Sequence, residues 1–503
     1  MERLRAWLPA ATCVVVWLVA SALAATGFFL TGERTIELAS HEARVQPSFS
    51  GQVVVRTGPV LPDVRTDSGS VIGVEIELGH TDAESVEQLA SRYAAIGSNP
   101  DPPIAKVKDA VRDMAIDAVL RGLAAGAVPV LVWLLLGARR RREVVDALPT
   151  RKGVAGLLVV ALVVVGLTAP WRGLGGSKGP PEHWVPLAEF LGPSIDLPDE
   201  LAGVDVLGGD AGGTQKMVAS AVHAYQEGRQ FYAEAAATAS TLDLRQPEDG
   251  ETAVLLLSDR HDNVGMDQVA RAIADAGGAT AVFDTGDDTS TGEKWEAFSL
   301  DSLAEAFDDG FDGRRWAVAG NHDHGTFVRS YLSDLGWTYF DAGDVVDGPG
   351  DTRILGVDDP RASGLGDWRD ETGLSFDEVR SRLADAACDA EQDGERVDTL
   401  LVHDTNLGKE ALERGCVDLV VGGHTHTQSG PTLVVGPDGQ RGYTYTVGTA
   451  GGAAYAIALG TKLRRPAGFA VITYRGGEPV GIQTIDIQTT GRFTVSPYQE
   501  LTY

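Results

Sequence analysis

The run VAGNHDH, Val318–His324, ends an apolar stretch with an amide, two imidazoles and a carboxylate. Four other stretches close in the same way. SDRHDN supplies Asp259 and His261, TGDD supplies Asp287, LLVHD supplies His403, and GGHTH supplies His424 and His426. Six of the ten histidines fall between His261 and His426. Carboxylate, amide and imidazole donors without cysteine suit Mn, Fe or Zn rather than a thiolate site. Seven candidate ligands (Asp259, His261, Asp287, Asn321, His403, His424 and His426) are too many for one tetrahedral ion and suit two ions that share a bridge. Two cations about 3.5–4 Å apart can clamp the attacking and leaving oxygens of an in-line displacement, and can lower the pKa of bound water from ~15.7 toward ~7. His322, of a residue type with an ordinary pKa of about 6.5, suits proton transfer near neutrality. Glycine at position 320 lets the chain turn closely beneath the ions. His324 is assigned a structural or rim role.

These clusters need elements that bring them together. TAVLLLSD precedes a helical MDQVARAIADAG, and ATAVFDTGD precedes EKWEAFSLDSLAEAFDD; RRWAVAGNHDH, VDTLLVHD and CVDLVVGGHTH follow. Short buried strands alternating with helices indicate an α/β fold with parallel character. Each polar cluster lies at the carboxyl end of one of these strands, the edge where open α/β sheets bind ligands. The end of the chain, TLVVGPDGQRGYTYTVGTAGG and GFAVITYRGGEPVGIQTIDIQ, reads as hairpins, with PDGQ and RGGEP as turns.

SDRHDN, TGDD, GNHD, LLVHD and GGHTH, in that order, resemble the five motifs of the calcineurin-like metallophosphoesterases over roughly Thr252–Asp486. The resemblance implies a membrane-anchored, bacterial-type member with an α/β sandwich of two mixed sheets flanked by helices. It implies a hydrolase that cleaves phosphate mono- or diesters with two divalent metal ions (Mn, Fe or Zn) by attack of a metal-bound hydroxide. Asp259, His261 and His426 would bind the first metal, Asn321, His403 and His424 the second, and Asp287 would bridge them. His322 would contact the phosphate and help protonate the leaving group, with Asp323 orienting it. Arg260 and Asn263, in a variable part of the first motif, would touch substrate.

The rest of the 503-residue chain is read from composition. A net charge of -29 argues against nucleic acid as a partner, because a phosphate backbone wants a basic footprint. Ala6–Gly32 is uncharged and long enough to span a bilayer, as a transmembrane helix, a signal anchor or a cleaved signal peptide. Gly122–Ala138, interrupted by Pro129, and Gly153–Trp171 are apolar, and the basic loop 139–152 between them reads as cytoplasmic. The expected order is therefore a span in 1–32, a small extracytoplasmic β-rich and helical (α+β) unit in 33–121, and a transmembrane hairpin in 122–171. A linker and helix in 172–250, a catalytic domain in 251–490 and a tail in 491–503 follow. Within 33–121, helices are expected near Asp82–Ala95 and Ile104–Leu120, the second able to run into the span. The expectation is a multi-pass cell-membrane protein, in the lipid bilayer through three spans, with its catalytic domain extracytoplasmic. Cys388 and Cys416 are a possible disulfide in that compartment, or two buried thiols. A membrane-tethered adaptor that binds without catalysis would lack ligands, and none is missing. A transporter would place acidic or histidine residues at mid-depth, and the spans carry none.

Overall fold

Apolar and polar residues alternate along His41–Ser48, which forms a strand with Ala43 and Val45 buried and the residues between them exposed. The computed structural model describes residues 2–38, 41–58, 62–79, 81, 101–147, 182–192, 197, 201–208, 212–341, 343–363, 368–370, 373–437, 439–453 and 462–503. They divide into two units, Met1–Ile36 with His41–His80 and Ile104–Ala219, and Glu37–Ser40 with Thr81–Pro103 and Ser220–Tyr503.

The first unit carries a seven-stranded sheet of β1 (Arg34–Leu38), β2 (His41–Ser48), β3 (Gln52–Arg56), β4 (Val64–Asp67), β5 (Gly73–Leu78), β6 (Trp184–Pro186) and β7 (Asp205–Leu207), in the order β1-β2-β5-β3-β4-β7-β6. β6 and β7 come from the stretch expected to be linker. They are three residues each, too short to show an alternation in sequence. The unit also holds the helices Glu2–Leu30 and Asp101–Leu135. The second absorbs both the expected helix from Ile104 and the apolar stretch, with Pro129 inside it. Among the described residues, Thr12–Leu30 and Pro103–Leu135 are the two helical segments long and apolar enough to cross a membrane. A Cβ on Gly122 would overlap Ala25, and one on Gly126 would overlap Ser21. The two helix backbones thus approach closely, and Trp17 Nε1–H donates to Leu123 O at 3.0 Å. Arg139–Arg142 lie on the helix Ala138–Ala147. The expected span at 153–171 and the expected helix at 82–95 lie outside the described residues.

The second unit has the expected mixed sheets. The first sheet runs β11-β10-β9-β8-β20-β21-β22, with β23 also on β21. Its members are β8 (Glu251–Leu257), β9 (Ala279–Asp284), β10 (Arg315–Ala317), β11 (Thr338–Tyr339), β20 (Ala467–Arg475), β21 (Glu478–Ile487), β22 (Phe493–Val495) and β23 (Gln499–Glu500). The second runs β12-β13-β16-β17-β19-β18, from β12 (Val346–Asp347), β13 (Arg353–Val357), β16 (Val397–Val402), β17 (Val417–Gly422), β18 (Ser429–Val435) and β19 (Arg441–Thr446). β14 (Arg361–Ser363) and β15 (Trp368–Asp370) form a separate hairpin. β8 to β11 are parallel, as are β13, β16, β17 and β19. β18 with β19, and β20 with β21, are the expected hairpins.

Strand alternation builds the layers. Val254 and Leu256 of β8 meet Leu401, Leu419 and Val421 of the second sheet in the core between the sheets. Leu255 and Leu257 face the other way, with Val269 and Ile273 of the helix Asp267–Ala276 and Tyr232, Ala235 and Ala239 of the helix Gly212–Ala239. Behind the second sheet, Val420 packs with Leu383 and Ala387 of the helix Phe376–Gln392. Cys388 and Cys416 are disulfide-bonded in that layer. One expectation changes. Residues 493–500, expected as a tail, add two edge strands to the first sheet. The stretch 326–350 carries the helix Phe327–Asp334, β11 and β12, which the sequence reading did not assign.

Candidate metal centre

The five parallel strands that carry the motifs end at Leu257, Asp284, Ala317, Val402 and Gly422, and the chain turns sharply after each. Among the described residues, seven non-glycine residues have positive φ. Six of them are here: Asp259 (54°), His261 (46°), Asp262 (62°), Asp287 (57°), His424 (67°) and His426 (54°). Left-handed backbone is strained for residues with a Cβ, and persists where the surroundings fix it. At this edge it turns successive polar side chains toward one place. A Cβ at position 320 would overlap the Asp287 carboxylate, so glycine is what lets the GNHD tip settle on that residue. His322 N–H donates to Asp287 Oδ1 at 2.8 Å, fixing the same approach.

Two groups of donors result, Asp259 with His261 and His426, and Asp287 with His403 and His424, and each could hold a metal ion. In the first, Asp259 Oδ1 lies 3.2 Å from His426 Nε2 and 4.0 Å from His261 Nε2, and the two Nε2 atoms are 3.0 Å apart. In the second, His403 Nε2 lies 3.2 Å from both Asp287 Oδ2 and His424 Nδ1. Asp287 Oδ2 is also 3.7 Å from His261 Nε2, which makes it the link between the groups. Ligands on a cation at roughly 2.0–2.1 Å sit about 3.3 Å from one another in a tetrahedron, close to these separations.

The protons are arranged to match. His403 Nδ1–H donates to Thr285 O at 2.7 Å and His426 Nδ1–H to Ala453 O at 3.0 Å. Each bond fixes the ring and turns Nε2 toward the pocket. Burial pushes His261 down to about 4, against the attraction of Asp287, so this ring is neutral and free to ligate near neutrality. Burial alone would raise Asp259 and Asp287. The neighbouring imidazoles, His426 and His403 foremost, outweigh it and hold both carboxyls below their ordinary value. Asn321 Oδ1 is buried with no hydrogen-bond partner among the described residues. An unpaired amide oxygen in such a place is costly unless a cation meets it. The donor set and this orphaned oxygen fit divalent metal ions.

His322 lies beside the first group, its ring 5.2 Å from that of His261. Its Nδ1–H donates to Ser290 O at 3.0 Å. Three expectations are corrected. Asp323 does not touch His322. Its carboxylate accepts from Asp288 N, Thr289 N, Thr289 Oγ1 and Gly320 N, so it braces the loop that presents Ser290. Arg260 is 1% exposed. Its guanidinium forks onto Asp267 (2.9 and 2.7 Å) and reaches Asp288 at 3.1 Å. Asn263 is also buried, and its amide donates to Gly451 O at 2.7 Å. The hydrogen bonds of both side chains run to the protein itself. His324 is half-buried and outside both donor groups.

Sequence reasoning missed the stretch 353–363. β13 lies there, and RILGV followed by Asp358 and Asp359 repeats the apolar-run-then-acid pattern of the motifs. Ala319 N–H donates to Asp358 Oδ1 and Asp359 N–H to Ala319 O, both at 2.9 Å. Ser363 N–H donates to Asn321 O at 2.8 Å, so this stretch clamps the GNHD tip. Arg361 holds Asp359 and reaches Asp404, whose Oδ2 is 3.9 Å from His424 Nε2.

Residues 252–428 match the model of the family described as calcineurin-like phosphoesterase. No curated protein matches the chain. One similar solved structure is a novel archaeal phosphodiesterase, at 13% identity and a TM-score of 0.26, over 50% of this chain and 100% of that one. Another is the sulfate thiohydrolase SoxB of Thermus thermophilus in complex with glycerol, at 16% identity and a TM-score of 0.23, over 47% of this chain and 42% of that one.

Proposed function

We propose that the second unit hydrolyses phosphate mono- or diesters at a centre of two divalent cations (Mn, Fe or Zn), and that the first unit anchors it in a membrane. The observation that carries the reading is the pair of donor groups joined through Asp287, with ring protons of His403 and His426 turned onto backbone carbonyls. Two such cations, when bound, acidify water and neutralise phosphate charge. The chain supplies the rest. Asp259, His261 and His426 hold one ion, and Asn321, His403 and His424 the other, with Asp287 between them. His322 keeps Nδ1 on Ser290 O and offers Nε2 to the ester, where it protonates the leaving oxygen. Asp323 holds the loop amides that keep Ser290 in place.

Outward-facing apolar residues on both long helices, such as Val15, Leu23, Leu131 and Leu135, support the membrane anchor. The Cys388–Cys416 disulfide supports an oxidising, extracytoplasmic compartment for the second unit. A three-span, multi-pass topology with loop 139–152 inside accommodates both. Protease added to intact cells should then cut the second unit, and protection until lysis would reverse the topology. For the chemistry, the full chain is purified in detergent, stripped of metal and reloaded with Mn(II), Fe(II) or Zn(II). Two metals per chain, and metal-dependent hydrolysis of bis-p-nitrophenyl phosphate or p-nitrophenyl phosphate, are expected. A chain that takes up no metal and turns over neither ester refutes the proposal.

A further inference from the structure

We infer that Ser363 is a positioning residue of this centre: its hydroxyl fixes which way the Asn321 amide points, and so turns Asn321 Oδ1 toward the cations. The inference rests on the phosphoesterase reading above. Ser363 ends β14, is 4% exposed, and lies 42 residues from Asn321 in sequence. Its Oγ contacts two groups, Asn321 Nδ2 and, at 3.3 Å, His322 Nε2.

The contact fixes the amide. Asn321 Nδ2–H donates to Ser363 Oγ, which leaves Oδ1 on the far side of the amide. Oδ1 is the atom found buried and without a hydrogen-bond partner. A flipped amide would turn N–H groups toward the cations. The backbone makes the clamp rigid, because Ser363 N–H also donates to Asn321 O at 2.8 Å. One hydroxyl thus contacts both Asn321 and His322, and it comes from a stretch that none of the five motifs includes.

The test uses the full chain in detergent, with Mn(II) titrated calorimetrically into wild type, Ser363→Ala, Asn321→Ala and the double variant. Removing a group that orients a ligand commonly costs roughly 10–100-fold in metal affinity. Ser363→Ala should lose that much at one of the two sites while its thermal melting stays close to wild type. The double variant should bind no more weakly than Asn321→Ala alone, because Ser363 acts through Asn321. Wild-type affinity in Ser363→Ala, or losses that add in the double variant, would overturn the role of Ser363. Those results would leave the phosphoesterase reading standing, provided that wild type binds Mn(II) and hydrolyses the esters. A wild type that does neither would sink the reading itself.

Discussion

On the helix Glu2–Leu30, Val14, Val15, Leu18, Val19 and Leu23 point outward and are exposed, while Ser21 is buried and faces Gly126 of the other long helix. At the ends of β8, β9 and β16 the pattern is inverted. Asp259, His261, Asp287 and His403 are at most 1% exposed, and the apolar residues of the same strands lie behind them. Each pattern needs a particular neighbour. Outward valines and leucines need an apolar surround, which a bilayer provides. Inward carboxylates and imidazoles need a partner of matching charge, because an ion buried alone is strongly unfavourable. One region thus carries two helices apolar enough to cross a membrane, and another gathers two donor groups that could hold a metal ion.

The largest effect should come from removing the charge that joins the two donor groups. Asp287→Asn should lose bound metal at both sites, and turnover should fall to the metal-free background, read by metal analysis and ester hydrolysis on the same preparation. Retention of two metals would mean that the groups are independent and that Asp287 is not their link. Next comes His322→Ala, which removes a proton donor but no ligand. Metal content should stay unchanged, while kcat falls by about 10²–10⁴-fold, the usual range for one general acid or base. An undiminished kcat would confine the role of this edge to holding cations.

Arg260→Ala separates a buried charge that serves the fold from those that serve the ions. It leaves Asp267 and Asp288 without their guanidinium, in a layer where burial, reinforced by Asp284, already lifts Asp288 well above the ordinary carboxyl range. Breaking a buried pair in this way costs about 3–5 kcal/mol. For a unit of this size the melting temperature should drop by roughly 6–20 °C, while KM stays near wild type in the material that remains folded. A raised KM with unchanged melting would return Arg260 to the substrate pocket.

The fold and the centre were legible to different depths, for physical reasons. Ligands at strand ends could be read because each follows an apolar run with an abrupt change to Asp, Asn or His, at the carboxyl end where parallel strands present ligands. The division into two sheets came from the resemblance, since the runs alone indicate only an α/β fold with parallel character. What lay behind the ligands could not be read. Arg260 shares a motif with Asp259 and His261, and nothing in SDRHDN says that its side chain turns under the pocket toward Asp267. Ser363 sits 42 residues from the amide it contacts, in a three-residue strand, and only the folded chain brings them together. β6 and β7 escaped because pairing across the sheet, not local pattern, makes them strands.

The smallest predicted effect falls on the apolar region and tests whether its two helices act as one anchor. Gly122 and Gly126 are one turn apart and face Ala25 and Ser21, so four small residues line the contact. Between helices in a membrane, such residues replace hydrophobic burial as the source of close packing. Leucine at position 126 would force the backbones apart and break the Trp17 Nε1–H···O bond to Leu123. Overpacking of this kind costs about 1–3 kcal/mol. In detergent the full chain should melt at a lower temperature when Gly126→Leu is made. Ester hydrolysis per folded chain should not change, since no residue of the metal centre lies on either helix. An unchanged melting temperature would mean that the contact tolerates bulk and that small residues do not set it. Lost hydrolysis would mean that the anchor and the centre are coupled, against the division of labour drawn from their opposite patterns of burial.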